Sequence, residues 1–160
     1  MINLITSFFV PKEVKRQNEL LTCLKQNINC KYITKIYLFI EKKDDIDFLK
    51  ANIKPKQKIQ LILWNKQPTY ADYLRIANTC YGQICMISNA DIWLKKCDEE
   101  LINLLHENPK IAYSLTRYDY DESKGEIDGQ WCGLSLDEDN QGEMTDERIE
   151  DWCKALHAEL

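Results

Sequence analysis

Residues 82–93 read Gly-Gln-Ile-Cys-Met-Ile-Ser-Asn-Ala-Asp-Ile-Trp, an apolar run that ends abruptly in a polar Asn-Ala-Asp. A short apolar run of this kind, preceded by a glycine and a helical pattern, predicts a buried central strand of a parallel sheet. The polar end of the strand then lies at the carboxyl edge of the sheet, where open α/β folds bind ligands. Asn89 and Asp91 can direct oxygen atoms at one point there. Hard cations that bridge a diphosphate need such ligands.

The segments on either side of this run alternate between strand and helix patterns. The strand patterns cover residues 2–10, 33–40, 59–64, 84–88 and 111–116, and the helix patterns cover residues 13–27, 44–51, 70–80 and 97–108. Asp44 and Thr69 are candidate N-caps for two of these helices. Strands that alternate with helices in this way predict a single α/β domain with a doubly wound, mostly parallel sheet flanked by helices.

The chain changes character after Tyr118. Residues 119–128 are acidic and polar, residues 137–142 have the composition of a loop, and residues 146–160 form one amphipathic helical pattern. We therefore divide the predicted domain into an α/β core at residues 1–120 and a smaller segment at residues 121–160.

Composition excludes several classes of function. The formal net charge of −5 argues against non-specific nucleic-acid binding, which needs a basic surface. The seven cysteines include no CxxC pair, which favours free thiols in a reducing cytosol over a zinc site or a disulfide framework.

The first ten residues are apolar but lack a basic region and a cleavage site, so they predict a strand rather than a signal peptide. No segment approaches the ~20 apolar residues that span a bilayer. We therefore expect a cytoplasmic protein without a transmembrane segment.

The pattern resembles the GT-A-type nucleotide-sugar glycosyltransferases of the family 2-like group. In that family a strand often reads Gly-x-x-Ile-x-x-x-Asp-x-Asp. Here Gly82, Ile84 or Cys85, and Asn89-Ala90-Asp91 fall at matching positions.

The resemblance extends upstream and covers about residues 1–120. The first strand ends in Thr-Ser-Phe-Phe at residues 6–9, where the family places its nucleotide-binding loop, and the second ends at Glu41, near an acidic residue that often meets the base. The third helix carries Asp72, Arg75 and Asn78, similar to the family's Ala-Arg-Asn helix.

This resemblance implies a GT-A or Rossmann-like fold that moves a sugar from a nucleotide-diphosphate donor to a hydroxyl of a glycan or other acceptor. Asp91 is then the ligand of an Mn²⁺ or Mg²⁺ ion between the two phosphates. The candidate contacts to the nucleotide sugar are Thr6, Ser7, Phe8, Glu41, Asp72, Arg75 and Asn89. The candidate general bases are Asp119, Asp121 and Asp128. The resemblance further implies that residues 121–160 form a shortened version of the part of the fold that binds the acceptor.

Other interpretations stay open at this stage. Asn89 stands where the family has its first aspartate and brings no charge, so the chain is alternatively a non-catalytic GT-A-like binding or interaction protein. A nucleotidyltransferase on a similar sheet is a weaker alternative, because it normally shows a glycine-rich signature near the first strand. Asp91 alternatively serves as a turn or N-cap residue, and Asp72 with Arg75 alternatively forms a plain surface ion pair.

Overall fold

The computed structural model describes residues 1–54, 58–95, 97 and 99–108, together with the backbone of residues 120–121 and 125–126. Four parallel strands form one sheet in the order β3-β2-β1-β4: β1 (Ile2–Phe8), β2 (Ile33–Ile40), β3 (Ile59–Leu63) and β4 (Ile84–Ile87). The helices are α1 (Val14–Asn29), α2 (Lys43–Asn52), α3 (Tyr70–Thr79) and α4 (Glu99–Glu107). The predicted α/β class with a parallel sheet and flanking helices is confirmed.

Each predicted strand and helix in the described part ends within two residues of its observed boundary. Thr69 is the N-cap of α3, as predicted, but the prediction for α2 is wrong. Lys42 occupies the N-cap of α2, and Asp44 lies in its first turn, where a carboxylate interacts favourably with the helix dipole.

A short antiparallel pair, β5 (Tyr120–Asp121) and β6 (Gly125–Glu126), was not anticipated. The predicted strand at residues 111–116 and the predicted helix at residues 146–160 lie outside the described residues. Among the helices described, none is long and apolar enough to cross a membrane.

Strand β1 divides the core into two layers because side chains alternate between the two faces of a strand. Leu4 and Phe8 pack in the cluster that contains Leu20 and Leu24 of α1. Ile5 points to the other face, where it packs with Phe39 and Tyr73. Helices thus cover both faces of the central strands, which accounts for the near-continuous apolar sequence of β1.

The strand order defines where a ligand site is expected. The chain leaves β1 toward β2 on one side, whereas β4 pairs with β1 on the other side. The connections therefore reverse direction between β1 and β4. In open α/β sheets the crevice outside the carboxyl ends of the strands at such a switch point binds ligands. Asn89 and Asp91 follow β4 at that edge, as predicted.

The prediction that β4 is a buried central strand is not confirmed within the described residues. In the four-stranded sheet, β4 pairs with β1 and lies at one end. All of its residues are half-buried.

A buried amide fixes the loop after β4 against α1. Asn27 is 2% exposed, and its side-chain nitrogen donates a hydrogen bond of 2.8 Å to the carbonyl oxygen of Ile92. Its Oδ1 accepts a hydrogen bond of 2.9 Å from the backbone N–H of Leu94. One side chain thus satisfies two backbone groups of a loop that forms no regular structure, as buried backbone groups require.

We expect Asn27→Leu to lower the free energy of unfolding by about 3 kcal/mol, because it leaves the half-buried carbonyl of Ile92 and the buried N–H of Leu94 without their partner. Urea unfolding monitored by tryptophan fluorescence measures the change. Asn52→Ala is the matched control, because the Asn52 amide also bonds a backbone carbonyl but is exposed. That control is expected to cost less than about 0.5 kcal/mol. Equal losses in the two variants would show that the contact of Asn27 does not hold the loop.

Candidate functional site at the carboxyl edge of the sheet

Asp91 lies in the loop after β4 and forms an ion pair with α1. The guanidinium of Arg16 donates a hydrogen bond of 2.9 Å to Oδ2 of Asp91 and also pairs with Glu19 at 2.8 Å. Hydrogen bonds to Glu19 and Asp91 raise the pKa of Arg16, so its charge is fixed. The side chain of Asp91 is 23% exposed. A permanent cation therefore already interacts with the carboxylate that the sequence assigns to a metal.

Three buried oxygen atoms near the switch point have no hydrogen-bond partner among the described protein groups: Thr6 Oγ1, Ser88 Oγ and Asp91 Oδ1. Thr6 and Ser88 are neighbours, because Ile5 pairs with Ile87 and the N–H of Ser88 bonds the carbonyl of Ile5. They are 3% and 7% exposed. Buried polar atoms are nearly always paired, so these oxygens mark a place suited to a polar ligand or a bound ion.

The few oxygen ligands at Asp91 suit a metal ion whose other ligands are the phosphates of a bound substrate. No group of three or more His, Cys, Asp or Glu residues that could hold a metal occurs among the described residues. Mg²⁺ is commonly bound by one or two carboxylates plus substrate phosphates, so a protein cage is not required. Asp91 Oδ1, buried and unpaired, provides one such oxygen. Asn89 is exposed at the same edge and adds an amide oxygen without charge.

A second polar group lies on the α3 side of the sheet. Tyr73 is 7% exposed, and burial raises its pKa, with further increases from the nearby charges of Tyr70, Glu41 and Asp72. A hydrogen bond with Ser7 acts in the opposite direction on the same pKa. Ser7 and Glu41, two of the predicted site residues, thus both influence the pKa of Tyr73, a residue that the sequence analysis did not identify.

Two aromatic residues, Phe8 at the end of β1 and Phe9 directly after it, differ in exposure. Phe8 is 1% exposed, and its ring stacks on that of Phe48 with the centroids 6.3 Å apart. A nucleobase reaches Phe8 only if this pair separates. Phe9 is 37% exposed and offers its ring at the carboxyl edge. The period of two along β1 was the signal that could have identified Phe9, since Phe8 shares its face with Leu4.

Asp72 has a structural role in the described fold. The backbone N–H of Thr69 donates to its Oδ2 at 2.9 Å, and the guanidinium of Arg75 donates to its Oδ1 at 3.0 Å. The bond from the N–H of Thr69 to Asp72, together with the bond from the N–H of Asp72 to the hydroxyl of Thr69, forms a capping box at the start of α3. Burial alone raises the pKa of Asp72, but the hydrogen bonds from Thr69, the charge of Lys66 and an interaction with Trp64 together outweigh it, and the pKa is lowered.

The ion pair between Asp72 and Arg75, which the sequence left as the plain alternative, is therefore present. The side chain of Arg75 remains 63% exposed, whereas that of Asp72 is 2% exposed. Contact of either residue with a nucleotide sugar stays a prediction. Of the three candidate bases, Asp121 lies in β5, whose backbone is described, and Asp119 and Asp128 lie outside the described residues.

Comparison with known proteins gives partial similarities. No protein-family model matches the chain. The flavodoxin of Trichodesmium erythraeum is 46% identical over 62 residues, which are 39% of this chain and 36% of that protein. The flavodoxin of Picosynechococcus sp. is 56% identical over 58 residues, which are 36% of this chain and 34% of that protein. The chain thus spans about a third of the length of these relatives.

Among solved structures, a 4-diphosphocytidyl-2C-methyl-D-erythritol synthase from Anaerococcus prevotii is similar with a TM-score of 0.47 and 17% sequence identity. The alignment covers 96% of this chain and 82% of that one. Similarity at this level does not define a shared activity.

We expect Asp72→Asn to destabilise the protein by about 1–2 kcal/mol near neutral pH, because the amide has no charge and only one acceptor oxygen for the donors of Thr69 and Arg75. The pKa of Asp72 in the folded state lies below its unfolded value of about 3.9. Its carboxylate therefore stabilises the fold above that pH, and the contribution is lost as the pH falls through the lower folded pKa. Urea unfolding should show that the wild type and the variant differ less in their free energy of unfolding at about pH 3 than at pH 7.

Asp47→Asn provides the control for this prediction. Asp47 pairs with Lys50 on α2, but both side chains are at least 70% exposed, so little effect is expected at either pH. A loss in Asp72→Asn that stays constant over the whole pH range would contradict the role of the carboxylate charge.

Proposed function

We propose that the chain binds a nucleoside diphosphate sugar in the crevice between β1 and β4 and transfers the sugar to an acceptor hydroxyl. One observation carries this proposal: Asp91 lies at the switch point of the sheet with one carboxylate oxygen buried and unpaired. The Asn27 contacts with Ile92 and Leu94 hold the loop that presents it. The finer points, glycosyl transfer and the acceptor, rest on the resemblance of residues 82–91 to the glycosyltransferase strand.

The charges at this edge suit a diphosphate. Arg16 lies in the first turn of α1, which contains no acidic residue, and the N-cap residue Glu13 makes no side-chain capping bond. The amino end of such a helix attracts anions through its free N–H groups and its dipole. A guanidinium adds a planar, permanent charge that matches phosphate oxygens. In the proposed complex Arg16 contacts a phosphate oxygen of the donor.

A divalent cation is the proposed cofactor of this site. Asp91 would hold Mn²⁺ or Mg²⁺ through a carboxylate oxygen, with Asn89 as a neutral second ligand. The ion would supply charge neutralisation of the leaving nucleoside diphosphate. The protein's own part is to fix Asp91 in place through α1 and to keep Arg16 charged beside it.

The nucleoside end of the donor is proposed to lie toward the α3 side. Ser7 and Glu41, which both influence the pKa of Tyr73, would offer a hydroxyl and a carboxylate for the base or the ribose. Phe9 offers an exposed ring for stacking. Asp119, Asp121 and Asp128 remain the proposed candidates for the base that deprotonates the acceptor.

A nucleotide panel tests this proposal. We expect one of UDP, GDP, CDP and dTDP to raise the melting temperature by about 5–10 °C at a concentration near 100 times its Kd, with Mn²⁺ or Mg²⁺ present. Asp91→Asn should remove the metal-dependent part of the shift, measured against the variant's own melting temperature without ligand. Release of that nucleoside diphosphate from the matching nucleotide sugar, with a glycan acceptor, then tests transfer.

Glu19→Gln is the matched control for this experiment. Glu19 pairs with Arg16 as Asp91 does, but its side chain is 48% exposed on α1, so this variant should keep the nucleotide shift. The proposal fails if folded protein shows no shift with any nucleotide, or if Asp91→Asn leaves a full metal-dependent shift. Binding without sugar transfer would instead support the non-catalytic alternative.

Flavin binding is a second candidate, favoured by the identity of 46% with a flavodoxin over 62 residues. The described sheet argues against it. Its order of β3-β2-β1-β4 matches the dinucleotide-binding order 3-2-1-4, whereas flavodoxin sheets have the order 2-1-3-4-5. FMN therefore belongs in the same thermal-shift panel. A shift with FMN and none with the nucleoside diphosphates would reverse the ranking of the two candidates.

A further inference from the structure

A tight turn joins the end of α3 to the start of β4. The N–H of Gln83 donates a hydrogen bond of 3.0 Å to the carbonyl of Cys80, which closes a four-residue turn. Gly82 is the third residue of the turn and has a φ of 73°, which glycine adopts without steric cost. Cys80 is therefore held close to the first residues of β4.

The turn places two thiols near the same end of α3. Cys80 is the C-cap of α3, is 4% exposed, and lies with its sulfur 3.5 Å from the carbonyl oxygen of Ile76. Cys85 is the second residue of β4 and faces the cluster that contains Tyr73, Ile76 and Ala77. Cys85 thus packs in the cluster that contains Ile76, whose carbonyl oxygen the sulfur of Cys80 contacts, and nearby Cys80 is one cause of the raised pKa of Cys85. Neither cysteine belongs to a disulfide, and the same holds for the other described cysteines.

We propose that Cys80 and Cys85 form a modification site that a hydroperoxide oxidises to an intramolecular disulfide between the end of α3 and the start of β4. The thiolate of Cys85, the more exposed of the two, attacks the peroxide O–O bond and becomes a sulfenic acid as the other oxygen leaves as water. The sulfur of Cys80 then attacks the sulfenic sulfur, and its oxygen leaves as the second water. Two thiols and one hydrogen peroxide thus give one disulfide and two waters.

Access and acidity set the rate of this step. Tyr81 is 97% exposed and Gly82 is exposed, so the turn lies at the surface, where a small oxidant reaches it. Burial and nearby Cys80 raise the pKa of Cys85 to about 12. Because the thiolate is the attacking form, oxidation is slow at neutral pH and accelerates about tenfold for each unit of pH above it.

The disulfide closes a small loop at the amino end of β4, which is the end of the strand away from Asp91. Cys80 and Cys85 lie at the amino end of the strand, whereas Asp91 follows its carboxyl end. Oxidation is therefore expected to stabilise the fold without changing the candidate ligand site. The loop-closure effect corresponds to a rise in melting temperature of roughly 5 °C.

The test uses the full chain treated with hydrogen peroxide near pH 7, pH 8 and pH 9, followed by alkylation of free thiols and peptide mapping. We expect a peptide that links Cys80 to Cys85 and a rise in melting temperature that dithiothreitol reverses. The rate should increase with pH. Cys80→Ser and Cys85→Ser should each abolish the linked peptide and the stabilisation.

Cys23→Ser is the matched control. Cys23 is 2% exposed on α1, and burial raises its pKa to about 11, but it packs on the other side of the sheet from α3. This variant should still form the Cys80–Cys85 link. The proposal is overturned if both cysteines remain open to alkylation after prolonged oxidation of folded protein, or if a different pair forms instead. It does not depend on the proposed transferase function, so either can fail alone.

Discussion

The two hydrogen bonds of the Asn27 side chain hold the loop that carries Asp91, the central residue of the candidate ligand site. They tie the backbone of Ile92 and Leu94 to α1, and Asp91 precedes that tied segment. Strand β4 has four residues and ends before the loop, so the sheet itself does not hold Asp91. A buried amide is effective here because its donor and acceptor both pair with groups that would otherwise be unsatisfied. The position of Asp91 at the sheet edge therefore depends on packing between α1 and the loop.

The electrostatic balance at this edge follows from the same arrangement. Arg16 is shared between Asp91 and Glu19, and Asn89 brings no charge, so the local set has a modest negative excess. Arg16 pairs with Oδ2 of Asp91, whereas Oδ1 has no partner among the described groups, so a divalent ion at Oδ1 would leave the ion pair in place. The Arg16 side chain would then remain beside the crevice, charged and close to the phosphates of a donor. The ion pair and the proposed metal site thus use different oxygens of one carboxylate and are compatible assignments.

Much of the fold could be predicted from the sequence because its signals are local. The apolar runs of β1, β2 and β4 and the spacing of leucines in α1 fix the elements, and the capping box at Thr69 is encoded within four residues. The site could be predicted only in outline. The contact of Arg16 with Asp91 joins residues 75 apart in the chain, and that of Asn27 with Ile92 joins residues 65 apart. No local pattern carries such pairings.

Phe8 and Asp72 are residues for which the sequence suggested a ligand contact but the fold shows a structural role. Both residue types suit a nucleotide site, and both occur where the resemblance places one. In the fold the ring of Phe8 packs on that of Phe48, and the oxygens of Asp72 accept hydrogen bonds from Thr69 and Arg75. Both side chains are buried and stabilise the fold. Their neighbours Phe9 and Arg75 are the exposed residues at those positions. A residue's type suggests the chemistry of a site, but its exposure decides whether a ligand can use it. On that criterion Asp91, partly exposed and with one oxygen unpaired, remains the strongest candidate at this edge.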